Sequence, residues 1–254
     1  VVAESGIAYR GGVESLGQHA DAFLVGSAVM RDADLDRAVR HLVYGRTKVC
    51  GLTRPEDARA AYASGATHGG LLFAKDSPRL VMPEQAYAVR SAAPLAWVGV
   101  FADQPAKEIA ELAKALELQA VQLHGSESRE EVERVRALLP SGCEVWKAVR
   151  VRGKLPLREE TGADRLLLDG WSAGRLGGAG VSFDWSRLLH HAERREVIVA
   201  GGLTPDNVPR AAALEPWALD VSSGVEATPG RKDAERLRTF FAARRRLPER
   251  GVHR

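Results

Sequence analysis

Short, almost continuously apolar runs recur along the chain and alternate with segments of helical periodicity. The runs are "TKVCG" (47–51), "HGGLLF" (68–73), "AWVGVF" (96–101), "AVQLHG" (120–125), "EVWKAV" (144–149), "RLLLD" (165–169), "EVIVAGG" (196–202) and "ALDVSSG" (218–224). Their centres, Val49, Leu72, Val98, Val121, Trp146, Leu167, Ile198 and Leu219, lie 21 to 31 residues apart. Strands read this way when helices cover both faces of their sheet. Between them stand "RPEDARAAYASG", "PAKEIAELAKALEL" and "SREEVERVRALLPSG". In the second, Ile109, Leu112, Ala113 and Leu116 fall at i, i+3, i+4 and i+7, which makes one apolar stripe. Pro55, Pro83, Pro105 and Pro205 sit near helix starts, where a missing N–H costs little. Eight such units predict an α/β fold, a (β/α)8 TIM barrel. A doubly wound open sheet has the same period, but no G-x-G-x-x-G turn follows the first strand.

The first 45 residues are then surplus. "VVAESGI" and "ADAFLVGSAVM" read as strands, "VESLGQHA" and "DLDRAVRHLVYG" as helices. Two βα units cannot close a barrel or cover both their faces, so they are expected to pack loosely or to lean on a neighbour. The expected division is residues 1–45, two units of a truncated barrel, and residues 46–254, a complete one. A start at valine inside an apolar run reads as a cut-down piece of a longer chain.

Composition narrows the classes. The 254 residues suffice to bury a core without a metal or disulfide staple. The net charge is only +3, and the basic tail "AARRRLPERGVHR" lacks the aromatic or glycine context of a nucleic-acid arm, so no nucleic-acid partner is expected. Cys50 and Cys143 alone make no disulfide framework, which fits a reducing cytoplasm. No apolar run reaches the roughly 18 residues of a membrane span. No membrane partner is expected.

In such a barrel the chemistry lies at the C-terminal ends of the strands. Cys50, Arg79, His124, Asp169 and Asp220 all fall there. Each alone has a plain structural reading: a core thiol, a solvated loop charge, a structural donor, a turn opener. Their convergence on one end lifts the set. The late loops point to phosphate: "GGAGVSFDW" (177–185), with a helix start at Asp184; "AGGLTPDN", with Thr204 or Pro205 opening a helix; and "DVSSGVE". No ligand-spaced His/Cys cluster is present, so no metal is expected.

These residues resemble the phosphoribosylanthranilate isomerase family of tryptophan biosynthesis. The motifs "KVCGLTRPEDA", "GGLLFAKDSPR", "VGVF", "VQLHG", "WKA", "LLLD", "GGAGVSFDW", "AGGLTPDNV" and "LDVSSGVEATPGRKD" follow that family's order over roughly 46–244. "ESGI" and the run from Ala20 to Gly45 resemble the last two βα units of indole-3-glycerol-phosphate synthase, a barrel fused ahead of the isomerase in some bacteria. Ser5, Gly26 and Ser27 match only that enzyme's ligand end, so synthase activity is expected to be absent. The full-length protein would then offer the rest of a synthase barrel as partner.

The resemblance implies an Amadori rearrangement of a small phosphorylated substrate, without a cofactor. Asp169 resembles the acid that protonates the ribose ring oxygen, and Cys50 the base that takes the C2 proton. The carboxyl must start protonated and the thiol ionised, against reference values of about 3.9 and 8.5. Burial would raise the first, and a nearby cation would lower the second. Arg79 would hold the anthranilate carboxylate, and His124 and Asp220 would line the site. Gly178, Gly180, Gly202, Ser222 and Ser223 would take the phosphate. Ala179 departs from the family, which favours a small polar residue there. Cys143 would pack at the opposite end. Two other readings stay open: a non-catalytic phosphate-binding or scaffolding barrel, and a barrel enzyme using Lys48 or Lys147 as a Schiff-base amine.

Overall fold

The structure, a computed structural model, describes residues 1–4, 6–17, 19–32, 34–151, 153–170 and 183–246. Strands β1 (Val2–Glu4) and β2 (Ala22–Leu24) pair in parallel around α1 (Arg10–Leu16). They are followed by α2 (Ser27–Met30) and α3 (Leu35–Tyr44). The second strand is shorter than its apolar run implies, because the chain turns into α2 at Ser27.

The barrel then unfolds in order. Its first half is β3 (Thr47–Cys50), α4 (Pro55–Ser64), β4 (His68–Leu72), α5 (Pro83–Arg90), β5 (Ala96–Phe101), α6 (Ala106–Ala115) and β6 (Ala120–Leu123). Its second half is α7 (Arg129–Leu138), β7 (Glu144–Val151), α8 (Arg158–Thr161), β8 (Arg165–Gly170), β9 (Ile198–Val199), α9 (Val208–Ala212) and β10 (Ala218–Val221). A hairpin, β11 (Glu226–Thr228) with β12 (Arg231–Lys232), precedes α10 (Ala234–Arg245). The eight strands β3 to β10 form a closed barrel, and β10 returns beside β3 with Asp220 opposite Lys48. Closure removes the open-sheet rival.

Local chemistry explains the helices. Ser128 and Glu131 close a reciprocal capping box on α7, and Asp233 caps α10 through the N–H groups of Glu235 and Arg236. The stripe on α6 packs Ile109 and Ala113 fully against the barrel. Two starts differ from the sequence reading. Asp184 caps a short 3-10 turn (Trp185–His190), with its carboxylate accepting from the Ser186 N–H. Thr204 and Pro205 open no helix: Asn207 bonds both the Thr204 N–H and the Gly202 carbonyl, closing a turn that delays α9 to Val208.

The residues before Thr47 lean on the barrel's last helix. Arg10 is buried and donates to the carbonyls of Val43, Arg245 and Arg246, while Arg244 reaches back to Glu14 at 2.8 Å. Val2, Leu24 and Met30 of this segment are exposed. Helical carbonyls near a C-terminus are natural partners for a guanidinium, which is why one arginine can dock this segment.

Candidate active site

Side chains alternate along a strand, so residues two apart share a face. Ala120, Gln122 and His124 form one inward ladder; Leu167 and Asp169, Ala218 and Asp220, and Lys48 and Cys50 form others. In the β6, β8 and β10 ladders the lower member belongs to an apolar floor that includes Val98, Ala120, Trp146, Leu167, Ile198 and Ala218. Trp217 meets Trp146 edge-on at 5.6 Å, and the Arg165 guanidinium covers Trp217 at 3.7 Å. The N-terminal end of the barrel is thereby plugged. His68 packs against both tryptophans in this plug, and the hydrogen-bonded polar chain lies above it at the C-terminal mouth.

There a directional chain of hydrogen bonds crosses the barrel. The Lys48 ammonium donates to Asp220 Oδ2 at 3.0 Å and to Gln122 Oε1 at 2.9 Å. An ammonium only donates, so Gln122 turns its oxygen to Lys48 and its NH2 to His124 Nδ1, 3.0 Å away. Nδ1 therefore accepts, and the ring proton of His124 is assigned to Nε2. Nε2 lies 3.6 Å from Asp169 Oδ2, just beyond hydrogen-bond reach, and no described residue bonds it. Asp220 Oδ1 is likewise buried without a partner among the described residues.

Cys50 lies beside the other end of this chain: a side chain begun at Gly70 would lie 2.9 Å from both Cys50 Sγ and Lys48 Cε. Burial pushes the thiol above its usual range; Lys48 and Lys232 pull it down without outweighing that cost. The cations foreseen from the sequence are present, but they do not win in the free protein. Burial also works against the charge on Lys48, yet Asp220 and Cys50 more than offset it, so the amine stays an ammonium. Lys147 is held by Glu127 Oε2 and the Gly125 carbonyl, each at 2.9 Å. Neither lysine is a free nucleophile.

Arg79 comes from the loop after β4 and is buried beside Cys50. Its Nε and Nη2 donate to the two oxygens of Glu226 at 2.9 and 2.6 Å. Gly51 makes room for it. A Cβ there would lie 2.5 Å from Arg79 Cδ, and its φ of +77° costs any other residue of order 1 kcal/mol. The turn after β3 is compact for this reason.

The loops after β9 and β10 touch at their backbones, since a Cβ on Gly224 would fall 1.9 Å from the Leu203 carbonyl oxygen. Gly202, with φ +66°, lies in the first loop and Ser222 and Ser223 in the second. The Ser222 hydroxyl is committed to the Cys50 carbonyl at 3.1 Å, so it braces the strand end. Gly178 and Gly180, like Ser5, lie outside the described residues. Cys50 and Asp169 end the first and sixth barrel strands, three steps apart through β9 and β10. A separate cleft of about 760 Å3, lined by Tyr9, Arg46 and Trp217 among others, opens at the plugged end and contains none of these groups.

The family model of N-(5'-phosphoribosyl)anthranilate isomerase matches residues 47–243, and that of indole-3-glycerol phosphate synthase matches residues 1–42. The chain belongs to the N-(5'-phosphoribosyl)anthranilate isomerase family. The tryptophan biosynthesis protein TrpCF of Yersinia pestis is 44% identical over 245 residues, covering 96% of this chain and 50% of that one. The chain thus spans about half the length of that curated relative. The phosphoribosylanthranilate isomerase crystal structure from Thermus thermophilus superposes with a TM-score of 0.69 at 42% identity, covering 78% of this chain and 97% of that one. A phosphoribosylanthranilate isomerase solved with reduced 1-(o-carboxyphenylamino)-1-deoxyribulose 5-phosphate matches with a TM-score of 0.65 at 34% identity, over 78% of this chain and 97% of that one.

All the candidate mouth residues lie inside the isomerase match. Four participants escaped the sequence reading as members of the mouth: Gln122, Glu226 and Lys232 altogether, and Lys48 except as a possible nucleophile. Gln122 and Lys48 carried a usable signal, since each stands two residues before a candidate on the same strand. The other two carried none that is local.

Proposed function

We propose that the barrel isomerises N-(5'-phosphoribosyl)anthranilate to 1-(2-carboxyphenylamino)-1-deoxyribulose 5-phosphate by general acid/base catalysis, as a step of tryptophan biosynthesis. The observation that carries this reading is the Lys48–Gln122–His124 hydrogen-bond chain, which starts beside Cys50 and ends with His124 Nε2 3.6 Å from Asp169. Asp169 gives its proton to the ribose ring oxygen as the bond from C1 to that oxygen breaks. The nitrogen lone pair closes to an iminium. Cys50, as thiolate, then takes the proton on C2, and the electron pair left behind neutralises the iminium to an enol-amine, which tautomerises to the ketose. No electrons enter or leave, so the step needs no cofactor.

The surroundings fit these roles. The His124 Nε2–H faces one Asp169 oxygen, leaving the other to carry the transferred proton. Lys48 lies against the sulfur and stabilises its anion. Arg79 receives the anthranilate carboxylate in a charge-assisted bond, Asp220 orients a sugar hydroxyl, and the touching loops at Gly202 and Ser223 hold the phosphate with backbone N–H groups. In this reading Ser222 serves that loop by bracing it. Gly178 and Gly180 would complete the phosphate seat.

We further read residues 1–45 and 46–254 as two units, the first a part of a synthase barrel whose remaining βα units would cover the exposed Val2, Leu24 and Met30. For residues 1–45 by themselves we propose no synthase catalysis. Two free cysteines, one buried at the mouth and one beside the start of β7, accord with a cytoplasmic setting. Among the described residues no helix is long and apolar enough to cross a membrane.

The test is direct. Phosphoribosylanthranilate is fluorescent, and its signal is expected to decay on adding the purified protein in proportion to enzyme concentration. A folded protein that leaves the signal unchanged would favour the scaffold reading. Borohydride is expected to trap no sugar phosphate on Lys48 or Lys147.

A further inference from the structure

Arg79 does not stand alone at the mouth, and its partners have no role in the scheme above. Glu226 grips its Nε and Nη2, which leaves Nη1 and one Nη2 hydrogen for a ligand. Lys232 donates to the same carboxylate at 2.7 Å, to the Cys50 carbonyl at 2.5 Å and to the Ser222 carbonyl at 3.4 Å. Three acceptors surround that amine, the complement of an ammonium. Glu226 and Lys232 face each other across the β11–β12 hairpin, whose register pairs them directly. The hairpin is tied down independently: the Lys232 N–H bonds Asp57, and Arg236 bonds the Glu226 carbonyl at 2.6 Å.

The cluster is tightly coupled. Arg79 and Lys232 are two cations sharing one carboxylate, Glu226, which both of them hold ionised against its burial. Burial pulls the Lys232 ammonium below its usual range, and Glu226 is the main group opposing that loss. The neighbouring carboxylates Asp57 and Glu56 share Arg54, and Asp220 pairs with Lys48. Arg79 is therefore fixed by a single buried carboxylate that Lys232 in turn fixes.

We propose that the Glu226–Lys232 hairpin is a positioning and specificity device: it holds the free edge of Arg79 at a set distance from Cys50, where that edge selects a substrate bearing an aromatic carboxylate. This rests on the isomerase reading. Glu226 and Lys232 touch no reacting atom. They act through Arg79.

The experiment compares phosphoribosylanthranilate with phosphoribosylaniline, which lacks the carboxylate, in the wild-type protein and in Glu226→Gln and Lys232→Met. It adds calorimetric binding of reduced 1-(o-carboxyphenylamino)-1-deoxyribulose 5-phosphate, which needs no turnover. Glu226→Gln is expected to raise KM for the carboxylated substrate about tenfold or more with kcat within about threefold, and to cut its preference over the aniline analogue by a similar factor. Glu226→Asp is expected to recover part of that preference, and Lys232→Met, which unties Glu226 from the Cys50 carbonyl but keeps the hydrocarbon stem, to reduce it even if Glu226→Gln folds poorly. Equal losses on both substrates in these variants would reduce the hairpin to a structural brace. An unchanged preference with a displaced pH limb would assign the hairpin to tuning the Cys50 thiolate instead. Both results overturn the proposal while leaving the isomerase reading intact. A wild-type protein that turns over neither substrate yet loses carboxylate-dependent binding in the variants would sink the isomerase reading and keep the hairpin's role.

Discussion

Asp169→Asn is expected to lower kcat about a thousandfold, the usual scale for losing a positioned proton donor. The amide has the carboxyl's shape and keeps an oxygen for the His124 Nε2–H, but it has no acidic proton for the ribose ring oxygen. The β8 ladder is made of backbone bonds, from Lys147 opposite Leu166 to Arg150 opposite Asp169, so the barrel should fold unchanged. Calorimetry is expected to show a Tm close to wild type, and binding of the reduced product analogue should survive. Turnover within a few-fold of wild type would remove Asp169 from the role of acid.

Cys50→Ala is expected to cost a comparable factor by removing the base that takes the C2 proton. This loss carries a second signature in pH. A base acts only when deprotonated, and burial raises the Cys50 thiol above its usual range. In the wild type, kcat/KM should therefore climb with pH through a limb lying above the ordinary thiol range and fall away below it. The alanine variant should keep a small residual rate without that limb. The same shift touches stability. A thiol raised in the folded state leaves stability intact below its unfolded value and erodes it as pH climbs through the folded one, so the activity limb must be read with a parallel check of folding. A limb that persists in the variant would assign the titration to another group.

Much of this architecture was legible because local periodicity encodes it. Uninterrupted apolar runs such as "AWVGVF" and "RLLLD" can only be strands covered on both sides, and their regular spacing leaves room for one helix each. The candidate residues were legible for a related reason, since a polar side chain at the end of such a run has nowhere to go but the mouth. What the spacing could not reveal is which polar groups meet. Arg79 and Glu226 are 147 residues apart and Lys48 and Asp220 are 172, and those pairings arise only once the barrel closes. The sign of the Cys50 shift was missed for the same reason: the sequence allows a cation nearby, but only the closed structure shows that burial outweighs it. Nor could sequence foresee that Asn207 would close a turn where Pro205 promised a helix.

The account stands on two groups addressing one sugar from different strands. Crystals soaked with reduced 1-(o-carboxyphenylamino)-1-deoxyribulose 5-phosphate test that most directly. The expected result places Cys50 Sγ near C2 and the Asp169 carboxyl near the former ring oxygen, each within about 3–3.5 Å and on opposite sides of the ligand, with the aromatic carboxylate on Arg79. A ligand whose sugar lies beyond the reach of either group, or one seated in the cleft beside Trp217, would contradict it.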